Sequence, residues 1–203
     1  MGDPVPQRQP MTVAKFLTWN DGTDTRYELV DGEIIAMNPP RAPHARLVVE
    51  LGAALRSRLP PYCGVYAGGG ATLQDDEFNY RIPDLIVSCV PSREHWVEQP
   101  RLVAEILSRS TQKYDLTGKL AFYRSIPSID EILLVRFDQR WCELWQRVGG
   151  NWSISFGRCF SCGPPLVSNS RSVRASSSSR SLSPTSHAIL IATRALTSLP
   201  DVV

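Results

Sequence analysis

Two carboxylates stand where burial is expensive. Asp84 follows Pro83 and opens the apolar run Leu85-Ile86-Val87, and Glu105 interrupts Leu102-Val103-Ala104 and Ile106-Leu107. An isolated carboxylate among apolar strand residues is destabilising unless it is paired, neutralised or bound to a cation. Two readings are open. Both acids could face solvent from edge strands, or the two strands are neighbours and the acids converge on a divalent cation. Mg²⁺ takes one or two carboxylates together with waters and phosphate oxygens, so two acids are a sufficient minimum. Asp115, Lys119 and Tyr123 then follow at intervals of four, along one face of a helix that starts just after the Glu105 strand. They form either an ordinary surface pair with a neighbour or a face that brings the Lys119 ammonium to the cation site. There it could orient a water or stabilise charge on a phosphate. Spacing alone leaves both open.

The elements that must position these groups show in the apolar periodicity. Thr12 to Trp19 is a short helix with Thr12 as its cap. Tyr27–Val30 and Glu33–Met37 flank Asp31-Gly32, a hairpin signal because both turn positions need positive φ. Pro39, Pro40 and Pro43 break the chain. The spacing of Leu47, Val48, Leu51, Ala54 and Leu55 then predicts an amphipathic helix over 44–59, stopped by Pro60-Pro61. Strands are expected at 65–67, 71–73, 82–90 and 102–107, a helix at 111–125, and a closing pair of strands at 131–137 and 142–148. Asp75-Asp76-Glu77 reads as a solvated turn. The pattern is α/β (α+β), a mixed central sheet with helices on its faces.

Composition bounds the rest. With 203 residues, 42% apolar and 21% charged, the chain supports one domain, expected over 11–157. Residues 1–10, with Pro4, Pro6 and Pro10, read as a disordered leader without a signal peptide. Residues 158–203 read as a Ser/Arg-rich, mostly disordered tail, with 11 serines in 161–188. The break in composition is abrupt enough to suggest a shifted reading frame; a basic tail that assists nucleic-acid binding is the other reading. No apolar run is long enough to cross a membrane. Five scattered cysteines and no secretion signal point to reduced thiols in the cytoplasm, and Cys159-x-x-Cys162 alone is a weak zinc signal. Residues 1–150 hold 17 Lys/Arg against 19 Asp/Glu, so the body is not the basic surface of a protein that holds DNA by charge alone.

Tyr27-Glu28-Leu29-Val30-Asp31-Gly32-Glu33, His44, Pro83-Asp84, and Glu105-Ile106-Leu107-Ser108 with Ser110, Thr111, Asp115, Lys119 and Tyr123, taken in that order and spacing over 11–148, resemble the Uma-two family. Its members are grouped with the endonucleases of the PD-(D/E)XK superfamily. The resemblance implies a restriction-endonuclease-like fold and Mg²⁺- or Mn²⁺-dependent hydrolysis of DNA. By the same resemblance Asp84 and Glu105 are metal ligands, with the carbonyl of Ile106 a third. The superfamily's lysine two positions after the acid is replaced here by Leu107; Lys119 is the natural substitute and Lys113 a poorer one. Glu28 could be a further acid at the site, and His44 could contact a phosphate, orient a water or only start its helix. A homodimer is compatible with the family. The alternative function is a catalytically weak or inactive nuclease fold that binds nucleic acid or a protein partner. A hydrolase for some other substrate has no feature in its favour beyond the carboxylates.

Overall fold

The computed structural model describes residues 9–73, 76–92, 95–107, 115–136 and 141–158. The expectations for the leader before residue 9, for the tail beyond 158, and for Lys113, Cys159 and Cys162 lie outside those residues.

Helix α1 (Val13–Thr18) begins at Thr12, whose hydroxyl accepts the Lys15 N–H at 3.4 Å. Strands β1 (Tyr27–Val30) and β2 (Glu33–Ala36) form a separate antiparallel hairpin. Its two-residue turn is the expected Asp31-Gly32, at φ 49° and 79°. Glycine is required at 32 twice over, since a Cβ there would sit 2.4 Å from that of Pro10. The hairpin is fastened to the body by reciprocal Leu29–Tyr80 backbone hydrogen bonds of 2.9 Å and by Leu29 packing with Phe16 and Tyr80.

The main sheet has six strands in the order β3 (Gly64–Ala67), β4 (Leu85–Ser88), β5 (Pro100–Leu107), β6 (Glu131–Arg136), β7 (Trp141–Val148) and β8 (Asn151–Arg158). Every pair is antiparallel except β5–β6. A parallel pair needs a crossover, and helix α3 (Asp115–Ser125) lies in it. Helix α2 (Ala42–Arg56) covers one face, packing Leu47, Leu51 and Leu55 on Leu85, Val87, Leu102, Ala104 and Ile106. On the other face Phe122, Tyr123 and Ile126 pack with Ile86, Val103, Leu107, Ile132 and Leu134. β5 is covered on both faces, which is why six of its eight residues form a nearly continuous apolar run.

Several elements depart from the sequence expectation for physical reasons. α2 begins at Ala42 because Pro43, read as a breaker, occupies the first turn, where no backbone donor is needed. Residues 71–73 form only a single bridge, Ala71 to Arg81. The neighbouring Gly70 has no room for a side chain, since a Cβ would lie 1.9 Å from the Tyr80 hydroxyl oxygen. β4 is four residues, bounded by Pro83 and by a register shift at Val87/Ser88. β8 was not anticipated at all. Its turn is Gly149-Gly150, both left-handed at φ 57° and 83°, and Trp152, Ile154 and Phe156 alternate after it. The thiol expectation is corrected at one pair: Cys63 and Cys89 form a disulfide. Spacing hid it, but the β3–β4 register sets Gly64 against Ser88 and so brings the next residues together. Cys142 is a buried free thiol.

Candidate active site at the end of the sheet

The acids of interest gather where β4 begins and β5 ends. Leu85 pairs with Ala104, so one further step of that register sets Asp84 opposite Glu105. Pro83 ends the strand there, and the Asp84 carboxylate turns back over the strand end: its Oδ2 accepts the backbone N–H of Ile106 at 2.7 Å. The same oxygen lies 3.2 Å from Nε2 of His44, in the first turn of α2. Asp84 and His44 are partly open to solvent, with side chains 21% and 19% exposed. The bond to Asp84 raises the His44 pKa above its ordinary value, against the opposing effect of burial. Nδ1 of the ring is buried and has no hydrogen-bond partner among the described residues.

Glu105 points toward α3 and is buried. Its Oε1 accepts the Tyr123 hydroxyl at 2.6 Å and pairs with Lys119 Nζ at 3.3 Å. Those two residues sit one turn apart, so a single helix face delivers both. Lys119 Nζ also lies 3.1 Å from Oε1 of Glu28, a buried residue of β1 that accepts the Ile82 N–H at 2.7 Å. Arg81 stands on the far side of Glu28, NH1 to Oε2 3.9 Å. Burial is the largest influence on Glu105 and lifts its pKa to about 7. Lys119 and the Tyr123 hydroxyl oppose the rise, and the charges of Asp84 and Glu28 add to it. Burial, and then the charges of Glu105 and Glu28, push Tyr123 well above its ordinary range.

Each carboxylate therefore has one oxygen pinned and one spare. Among the described residues Asp84 Oδ1 and Glu105 Oε2 take no hydrogen bond or ion pair, and neither is shut off from solvent. Two spare carboxylate oxygens of this kind suit a hard divalent cation that completes its shell with carbonyl oxygen and water. No three His, Cys, Asp or Glu side chains among the described residues come together as an all-protein cage.

Comparison with known proteins bears on what such a site belongs to. Residues 13–157 match the Uma2 family, described as "Putative restriction endonuclease". The chain belongs to that family. Two uncharacterized proteins of Synechocystis sp. PCC 6803 are similar to it. One, slr1290, is 28% identical over 163 residues, covering 74% of this chain and 80% of the relative. The other, sll1609, is 30% identical over 151 residues, covering 68% and 82%. A crystal structure of "a putative nuclease belonging to DUF820" from Anabaena variabilis superposes with a TM-score of 0.63 at 19% identity, over 92% of this chain and 99% of that one. At that identity the likeness speaks for the fold, which is that of a nuclease-like Uma2 domain.

Within the Uma2 domain the structure brings Glu28, Glu105, Lys119 and Tyr123 into one buried network, and Asp84, His44 and the main chain of Ile106 into an adjoining, more open one. Leu107 is buried in the apolar layer. The side chain of Asp115 lies outside the described residues. Arg81 is absent from the sequence candidates, although a basic residue three positions before the aspartate was a visible signal.

Proposed function

We propose that this chain is an endonuclease that hydrolyses phosphodiester bonds of DNA in the cytoplasm, with Mg²⁺ or Mn²⁺ held by Asp84, Glu105 and the carbonyl of Ile106. The observation that supports it best is the placing of Lys119 Nζ 3.3 Å from Glu105, which supplies from α3 the cation that Leu107 cannot supply from β5. The metal, when bound, neutralises phosphate charge and makes phosphorus easier to attack. The remaining work falls to the protein. Glu28 and Glu105 fix the direction of the Lys119 ammonium from two sides, so that it orients the attacking water and meets the charge that develops on the phosphate. Tyr123 holds Glu105 Oε1, and the Ile106 N–H holds Asp84 Oδ2, leaving the other carboxylate oxygens for the ion. His44, at the open rim, would contact a phosphate oxygen. In that compartment Cys63 and Cys89 would face a reducing pool.

One observation favours a second reading, a nuclease fold that binds nucleic acid without cutting it. Burial pushes the Glu105 pKa up to about 7, which favours its protonated form, and a protonated acid is a poor metal ligand. Plasmid nicking in Mg²⁺ or Mn²⁺ separates the two. Cleavage by the wild type that drops in both Asp84→Ala and Glu105→Ala by more than the roughly 10–100-fold typical of losing an outer-shell partner supports the enzyme. Cleavage that survives both substitutions removes this site. Wild-type binding without cleavage favours the second reading.

A further inference from the structure

Arg81 is held in a way that Glu28 alone does not explain. Its backbone is fixed by two hydrogen bonds to Ala71, at 2.9 and 2.7 Å. Its side chain is only 10% exposed, with the guanidinium carbon 5.8 Å from the centre of the Phe122 ring. Among the described residues no N–H of this guanidinium donates a hydrogen bond; its one charged contact is the 3.9 Å approach to Glu28 Oε2. A buried guanidinium with unmade hydrogen bonds is costly. Glu28 does not meet that demand: its Oε1 is held by Lys119 and the Ile82 N–H, and its Oε2 lies 3.9 Å from NH1, beyond hydrogen-bond reach. Nε of Arg81 is closed to solvent, whereas the two terminal nitrogens are not. The unused donors are thus the two that a ligand can reach. They form the planar fork that suits two phosphate oxygens.

We propose that the terminal N–H groups of Arg81 bind a phosphate of the nucleic-acid backbone, beside the phosphate that Lys119 faces. Lys119 is shared between Glu28 and Glu105, whereas Arg81 has, among the described residues, only the 3.9 Å approach to Glu28, and a substrate phosphate supplies the hydrogen-bond acceptors that its guanidinium lacks. The inference rests on the proposed function only in taking nucleic acid as the ligand; it requires no cleavage.

The test is therefore a binding measurement on the full chain. A fluorescent DNA duplex is titrated in Ca²⁺, and anisotropy is followed across a range of KCl. Arg81→Met is expected to weaken binding about tenfold, the scale of one hydrogen bond to a charged group. It should also flatten the plot of log affinity against log salt by about one unit, as expected for one lost phosphate contact. Arg81→Lys should recover the slope but only part of the affinity, because a point charge lacks the fork. If Arg81 merely balances Glu28, removing both charges in Arg81→Met/Glu28→Gln restores binding, and that result overturns the proposal. So does wild-type affinity and slope in Arg81→Met. Should Arg81→Met fail to fold, the wild type decides: an Arg81 Nε–H resonance that moves on adding DNA supports the contact, and one that stays in place refutes it. Arg81-dependent binding without cleavage would sink the nuclease reading while leaving this one; cleavage indifferent to Arg81 would do the reverse.

Discussion

Glu105 carries opposite demands. Burial lifts its pKa from 4.5 to about 7, more than Lys119 and Tyr123 pull it down. A group whose folded pKa lies above its unfolded value contributes stability that is fully present below the unfolded pKa and is lost as pH rises through the folded one. For Glu105 that window runs from about 4.5 to about 7. His44 is shifted in the same direction, and its contribution is lost only above its unfolded value of 6.5, at the top of that window. The metal-free protein should thus become less stable as pH climbs through this window, and Glu105→Gln, which keeps the shape and cannot ionise, should flatten the profile. Thermal melts in EDTA at half-unit steps of pH check this. A variant profile as steep as the wild type would mean that Glu105 does not titrate there. At this scale the sequence was generous about identities and poor about partners. Asp84, Glu105, Lys119 and Tyr123 stood out by charge in apolar runs or by helical spacing. That Glu28 would hold Lys119, or that Arg81 would back Glu28, depends on residues more than fifty apart.

The hairpin of β1 and β2 turns those long-range partners into an element-scale question. A two-stranded ribbon is marginal by itself; this one stays in place through Leu29, fully buried, and its backbone bonds to Tyr80. Glu28 is the next residue, so whatever loosens the hairpin also withdraws a carboxylate from Lys119. Leu29→Ala is expected to destabilise the fold by about 2–5 kcal/mol, the usual range for a leucine cavity, read as a lower urea midpoint. It should also reduce cleavage more than Lys15→Ala, an exposed change on α1. Full activity in a folded Leu29→Ala would show that Glu28 does not need the hairpin. Elements with a local signature were legible in the sequence: the Asp31-Gly32 turn, the apolar stripe of α2, the run of β5. Those set by tertiary context were not. The segment at 71–73 has strand-like residues but only one bridging partner, and β8 was obscured by the polar Ser153 and Ser155 of an edge strand, although its Gly149-Gly150 turn was in plain view.

Across the whole molecule, charge and metal are linked. The first 150 residues hold 17 basic against 19 acidic groups, while the last 53 hold five against one. A body with no positive excess gains its grip on a polyanion at a few points, and a divalent cation between Asp84 and Glu105 would be the strongest of them. The same ion relieves the repulsion that helps to raise the Glu105 pKa, so it should stabilise the folded state as well as serve the reaction. Binding to the native state alone contributes RT ln(1 + [L]/Kd), about 2.7 kcal/mol at a hundredfold excess over Kd. For a chain of this size that corresponds to a rise in melting temperature of about 5–10 °C. Mn²⁺ or Mg²⁺ is therefore expected to shift the melt of the full chain upward and saturably at constant ionic strength, with KCl giving no such rise. Asp84→Asn keeps the size of the side chain and removes its charge, and should abolish most of the shift. A rise of equal size in Asp84→Asn would place the ion elsewhere, and no rise in the wild type would remove the metal from the site.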